Sequence, residues 1–258
     1  MRFTGVCVGT VACLAVAGVV GCGSTVVRHA GALGSASASS EPTATADLSA
    51  GVILQRARAA GARVSSFTMA FSYVPDPSDP EPLHRSARLS WDRAGHCTGE
   101  VTIAGRGSAE VVVSGGTTWI RPDAAFARAE FGPAAAAMLA GKYLKGPTTD
   151  LHFADVSMVT DEYQKDLCQS GVLELAIPDE DDQSSTKLGR ATVDGVPTVD
   201  VLPNGKGTAD TFIAAEGTPY VIRSGGPGGT TFSDYGRPVA FQEPPAGLTV
   251  NVAQLHAG

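Results

Sequence analysis

The chain has 258 residues, a formal charge of −7, 17% charged residues and five cysteines. That length suits one domain of ordinary to large size. An acidic, Ala- and Gly-rich chain with few clusters of Lys or Arg argues against nucleic acid as its partner and against adhesion to anionic head groups by charge alone.

The first stretch is an export signal by its pattern. Arg2 gives a short positive start, and Val6 to Val20 form an uncharged apolar run with Leu14 near its middle. The run is shorter than the roughly 20 apolar residues of a comfortable bilayer span, so it reads as a secretory signal. It ends in Val19-Val20-Gly21-Cys22, which looks like a bacterial lipobox. That motif implies a diacylglyceryl thioether on Cys22, palmitate-type acylation and a mature chain beginning there. Arg2 is the only charged side chain before Cys22, so the remainder is one charge more negative than the whole. One acyl chain holds a membrane only marginally, whereas two hold it firmly. The expected location is therefore the extracytoplasmic face of the cell membrane, with the lipid as anchor.

The expected organisation is a signal peptide over 1–21, an acylated cysteine and tether over 22–46, and a single domain over 47–258. The tether is Ser, Ala, Thr and Gly with almost no large apolar residue, so it cannot bury enough surface to fold. Asp47 reads as an N-cap, and Leu48, Val52 and Ala59 give helical spacing through Arg63. Phe67, Met69, Phe71 and Tyr73 then alternate with Thr68, Ala70 and Ser72, which predicts a strand with one buried face. The run Pro75 to Pro80 breaks it. Leu83 to Asp92 alternates again, Gly95 marks a turn, and Cys97 to Ile103 is a third strand. Glu110 to Ser114 and Thr117 to Arg121 flank Gly115-Gly116, a hairpin signal.

Pro133 at a first helical position predicts a helix over Ala134 to Leu144, ended by Gly146-Pro147. Asp155 to Cys168 reads as a further helix, and Gly171 to Ile177 fits either helix or strand. The acidic Asp179 to Asp182 lacks EF-hand spacing and reads as a solvated loop. Four strands follow: Thr186 to Val193, Val196 to Leu202, Ala209 to Ala214 and Pro219 to Ser224. Gly195, Asn204-Gly205 and Glu216-Gly217 are the turns between them. The order helix, strands, helices, strands predicts an α+β fold built on one large antiparallel sheet, with helices gathered on one side.

Cys7 and Cys13 lie in the signal and Cys22 is the lipid site, which leaves Cys97 and Cys168. An even pair in an exported chain favours a disulfide. Neither belongs to a C-x-x-C motif, so redox catalysis and structural zinc are not expected. No G-x-S-x-G, S-x-x-K, H-E-x-x-H or P-loop is present. His29 and His256 lie in the tether and at the terminus; His84 and His96 flank one strand, where a metal would still need further ligands. The expectation is a protein without enzymatic activity, metal or cofactor. What the strands offer is a wide apolar face, with Phe67, Met69, Phe71, Leu89, Trp91, Val101, Ile103, Val111, Val113 and Trp119 as its inward residues. These either fill a core or line a cavity between sheet and helices.

The terminal stretch Thr231-Phe232-Ser233-Asp234-Tyr235-Gly236-Arg237-Pro238-Val239, followed by Pro244-Pro245, resembles the closing signature of the actinobacterial LppX/LprA/LprF/LprG lipoproteins. The Val113 to Arg121 hairpin resembles the same family, as does the Ala-rich helix ending near Tyr143-Leu144. The resemblance implies a LolA-like fold, a curved half-barrel sheet with helices on its concave side and a last short strand ending in the paired prolines. It also implies an apolar cavity that binds lipid or lipoglycan acyl chains and carries them across the envelope without a cofactor. The ten apolar residues named above are then the cavity residues. The alternative is an envelope sensor or regulatory lipoprotein whose LolA-like domain binds a partner protein.

Overall fold

Two-residue alternation across the middle of the chain builds a single sheet that grows strand by strand. The structure is a computed structural model that describes residues 44–73, 84–150, 153, 168, 173, 176–177, 185–203, 210–226 and 228–255, all within the compact unit 41–258. The lipobox, most of the tether, the proline run after Tyr73, the helix expected over 155–168 apart from Cys168, and the acidic loop lie outside the described residues.

The strands are β1 (Ser66–Tyr73), β2 (Arg85–Asp92), β3 (Cys97–Ile103), β4 (Gly107–Ser114), β5 (Thr117–Pro122) and β6 (Tyr143–Pro147). After them come β7 (Thr186–Val193), β8 (Val196–Leu202), β9 (Thr211–Ala214), β10 (Val221–Ser224), β11 (Thr230–Ser233) and β12 (Thr249–Asn251). They form one open 12-stranded sheet in the order β12-β6-β5-β4-β3-β2-β1-β11-β10-β9-β8-β7. Every pairing is antiparallel except β12 with β6, which is parallel. Each hairpin runs to its sequence neighbour, and β11 returns to pair with β1, joining the two halves.

Among the described residues two α-helices accompany the sheet: α1 (Ala50–Gly61) and α2 (Ala124–Leu139). Ile53, Leu54 and Ala57 of α1 and Phe126 and Leu139 of α2 enter one continuous buried cluster, together with inward residues from β1 to β6 and β8 to β12. Twelve strands about 4.8 Å apart would make a flat sheet roughly 50 Å wide, whereas a 12-residue helix is about 18 Å long. Leu144 near one edge and Val201 near the other are nevertheless both fully buried in that cluster. The sheet therefore curves, and the helices pack against its concave side.

Several boundaries differ from the sequence expectation, each for a local reason. Thr45 and Ala46, assigned to the tether, are buried in a 3-10 turn over Thr45–Asp47. Lys187 Nζ donates to the carbonyls of Ala46 and Leu48, both at 3.0 Å, and pins the turn to β7. The N-cap position of α1 is consequently Ser49, not Asp47.

The Ala-rich helix starts ten residues, nearly three turns, earlier than expected. Asp123 caps it by accepting from the Phe126 amide at 2.7 Å, and Gly132 at φ 82° kinks it before Pro133 opens the second half. It stops at Leu139, and Tyr143-Leu144, expected at its end, belong to β6. Helix propensity yields there to the pairing of Ile120 with Leu144 in the sheet.

The end of the chain is not a strand closed by the prolines. After Asp234-Tyr235-Gly236 it becomes an irregular strap that crosses the outer face of the sheet. Gly236 donates its amide to the Ser66 carbonyl at 2.8 Å, and Ser66 Oγ donates to the Arg237 carbonyl. Phe241 packs on Val112, Trp119 and Tyr143, and stacks on His96 with ring centroids 4.1 Å apart. The last strand, β12, forms only beyond Pro244-Pro245.

Candidate functional site

The apolar face gathers large side chains from neighbouring strands. Phe67, Met69, Leu89, Trp91, Val101, Ile103 and Val111 are all buried in the main cluster, and Phe71 and Val113 pack half-buried against it. Pairing brings them together in rows: Phe67 opposite Trp91, Met69 opposite Leu89, and Val101 flanked by Ala87 and Ala109. The Phe67 ring lies 5.4 Å from Trp91 and 6.1 Å from Phe232, in tilted arrangements favourable for aromatic pairs.

Trp119, the tenth residue of that set, is on the opposite face. The two-residue Gly115-Gly116 turn, with φ of 56° and 75°, pairs Ser114 with Thr117 and so sets Val111 against Ile120 and Val112 against Trp119. Ile120 is therefore the inward residue, fully buried in the main cluster, while Trp119 lies under Phe241 of the strap with Lys145 Nζ 5.0 Å from its ring centroid. The hairpin turn itself carried the signal that Trp119 points outward.

A small pocket lies beside Trp91, where α1 ends. It is a hole of about 120 Å³ walled by Val64, Trp91, Leu173 and Ile177, with Arg58 and Arg93 at its rim. Arg93 is held there by donating to the carbonyls of Val64, at 2.6 Å, and Ala62.

Cys97 and Cys168 form a disulfide across 71 residues of sequence. Cys97 is fully buried in the core face of β3, between Trp91 and Val113 on the neighbouring strands. The bond fastens position 168 to the centre of the apolar face.

Tyr235, in the turn that starts the strap, closes the face near β10. Its hydroxyl donates to the Val221 carbonyl, and its ring stacks on Tyr220 with centroids 4.1 Å apart. Burial, with a smaller effect of Tyr220, pushes the Tyr235 phenol far above its ordinary range, so it stays a donor. At Asp123 burial opposes ionisation, but amide hydrogen bonds from Phe126 and Ser108 outweigh it and hold the carboxyl below its ordinary value.

Among the described residues, no group of three or more His, Cys, Asp and Glu is placed to hold a metal ion. His84 and His96 are not brought together: His96 Nδ1 lies 2.9 Å from Asp92 Oδ2, in the turn before β3. Among the same residues, no helix is long and apolar enough to cross a membrane.

Comparison with solved structures finds LprF from Mycobacterium bovis at 16% identity, covering 76% of this chain and 97% of that one, with a TM-score of 0.45. It also finds the Mycobacterium tuberculosis lipoprotein LppX at 14% identity, covering 74% of this chain and 97% of that one, with a TM-score of 0.43. The MucA/MucB complex of Pseudomonas aeruginosa matches at 15% identity, covering 81% of this chain and 61% of that one, with a TM-score of 0.28. LprF and LppX are two of the lipoproteins that the terminal stretch resembles. No family model matches the sequence, and no curated protein matches it.

Proposed function

We propose that this chain is a cell-envelope lipoprotein that binds the acyl chains of a lipid or lipoglycan against the concave face of its sheet and carries them across the envelope. The observation that carries this reading is the apolar face itself. Phe67, Met69, Leu89, Trp91, Val101 and Ile103, from three adjacent strands, turn to one side, and Trp91 at the end of that row lines a hole that reaches the surface. Cys22 in its lipobox is the anchor, on the extracytoplasmic face of the membrane, and the Ser/Ala/Thr/Gly segment behind it is the tether.

The mechanism is physical and needs neither a catalytic residue nor a cofactor. Moving one acyl CH₂ into water costs about 0.8 kcal/mol. A lipid with two long chains therefore faces a desorption cost on the order of 20 kcal/mol. Exchanging membrane contacts for contacts with Phe, Met, Leu, Val and Trp side chains removes most of that cost, because neither phase exposes the chain to water. Burial is non-directional, so such a face would accept chains of differing length.

A second reading, an envelope sensor that binds a partner protein, is favoured by one observation. Leu188 and Val196, on the β7–β8 hairpin at the free edge of the sheet, are 51% and 36% exposed. Transfer of a pyrene-labelled diacyl lipid from donor to acceptor vesicles separates the two. A carrier accelerates transfer in proportion to protein concentration, while a sensor leaves the spontaneous rate unchanged.

A further inference from the structure

We propose that the outer face of the sheet holds a second binding site, for an uncharged polyhydroxylated ligand of the saccharide class, in the trough between the strap and the start of α2. The trough has a volume of about 710 Å³, with Ser90, Thr98, Glu100, Ser108 and Glu110 among its lining residues. It continues beneath the strap as a pocket of about 230 Å³ that shares Ser90 and Thr98 and adds Thr68. Pro238, Val239 and Ala240 of the strap line that inner end. The larger volume lies within the usual range of small-molecule sites, roughly 300–1,000 Å³.

Strand register builds the floor. Arg88, Glu100, Glu110 and Arg121 stand opposite one another in a row across β2, β3, β4 and β5. Three of the four are engaged: Arg88 with Asp234 at 3.3 Å, and Arg121 with Glu110, which also accepts from the Tyr143 hydroxyl at 2.9 Å. Glu100 is exposed, and its carboxylate has no hydrogen-bond or ionic partner among the described residues. It also sits directly opposite the like charge of Glu110, an arrangement that costs a sheet stability. Glu100 therefore presents an acceptor to the trough that the fold itself does not use.

The chemistry of the lining selects the ligand class. Arg88, Arg121 and Arg237 face Glu100, Glu110, Asp123 and Asp234. Three guanidinium groups against four carboxylates give no strong attraction for a polyanion or a polycation. Ser and Thr hydroxyls both donate and accept, and sugar hydroxyls do the same, so donors and acceptors match along the row. The small apolar side chains of the strap suit the C–H face of a sugar ring. Because side chains alternate along each strand, this site shares no inward residue of β2 to β5 with the acyl-binding face, although Phe67 of β1 lines its inner end as well.

The test is isothermal titration of the intact chain, in a zwitterionic detergent without a sugar head group. The probes are maltotriose, cellotriose and chitotriose, with trilysine and triglutamate as charged controls. The expected result is binding of at least one trisaccharide with Kd on the order of 1 mM or tighter. Glu100→Ala and Thr98→Val should each weaken it about tenfold, as loss of a hydrogen bond to the ligand does. Glu100→Ala removes a like-charge contact at an exposed position, so it keeps the fold. Absence of binding by all three sugars, equal binding by both variants, or tighter binding of trilysine or triglutamate would overturn the proposal.

Discussion

Replacing Cys97 and Cys168 together by alanine tests how much of the fold depends on the fastening of position 168 to β3. The bond closes 71 residues of sequence. Under the chain-entropy relation, loops of about 15 and 100 residues contribute roughly 3 and 4.7 kcal/mol, which places this loop near 4 kcal/mol. Cys97 is fully buried, so trimming it to alanine adds about 1 kcal/mol of lost packing. The expected loss is therefore about 4–5 kcal/mol, a large share of the roughly 5–15 kcal/mol that holds a typical domain together. Urea unfolding of residues 41–258, followed by the fluorescence of Trp91 and Trp119, reads this directly because the two indoles report on opposite faces of the sheet. With a slope of about 2 kcal/mol per molar urea, the midpoint should fall by roughly 2 M. Dithiothreitol on the wild-type fragment should reproduce most of that fall, since these are its only two cysteines. A loss below about 1 kcal/mol in both experiments would refute the argument that closing this loop is a major source of stability.

Three further outcomes follow from particular contacts. Gly99→Ala should destabilise the domain by about 1–3 kcal/mol, because a Cβ there would meet the Arg88 carbonyl oxygen at 2.0 Å; an unchanged thermal midpoint would contradict it. Tyr235→Phe keeps the ring stacked on Tyr220 but removes the bond to the Val221 carbonyl, so urea unfolding should show a loss of about 1 kcal/mol. Asp123→Ala removes the cap of α2 and should cost about 1 kcal/mol at neutral pH. The folded-state pKa of Asp123 is lowered from 3.8. Its contribution is thus present above the unfolded value and lost as pH falls through the lower folded value. The gap between wild type and Asp123→Ala should accordingly narrow below about pH 4, and a constant gap from pH 7 to pH 2 would contradict the assignment.

Much of the fold was legible because period-2 alternation is strong in β1 to β4 and each is bounded by a turn signal. Cys97 to Ile103 matches β3 in full, and Val196 to Leu202 matches β8. Composition misled where sheet pairing overrode local preference. Tyr143-Leu144 follows an Ala-rich helix, yet its register with β5 decides its state. The strap was out of reach for a different reason. Its hold on the sheet comes from contacts far apart in sequence, such as Phe241 on Val112 and His96, and no local periodicity encodes them. The same holds for β12, whose parallel partner β6 is separated from it in sequence by β7 to β11.

The site divides in the same way. Nine of the ten apolar residues share the concave side because strand parity fixes a face once its period is recognised. Hydrophobicity alone groups the tenth, Trp119, with them, because it takes no count of register through Gly115-Gly116. That count places it with Val112, on the side covered by the strap. The charged row Arg88, Glu100, Glu110, Arg121 was also written in alternate positions of four strands, but only their pairing shows that it is a row.

The central claim is that the concave apolar face holds acyl chains, and native mass spectrometry of residues 41–258 exported from a bacterial host tests it most directly. The account predicts a co-purifying lipid at about one per protein, released by organic solvent and restored by incubation with envelope lipids. A single apo mass, unchanged after that incubation, would contradict it.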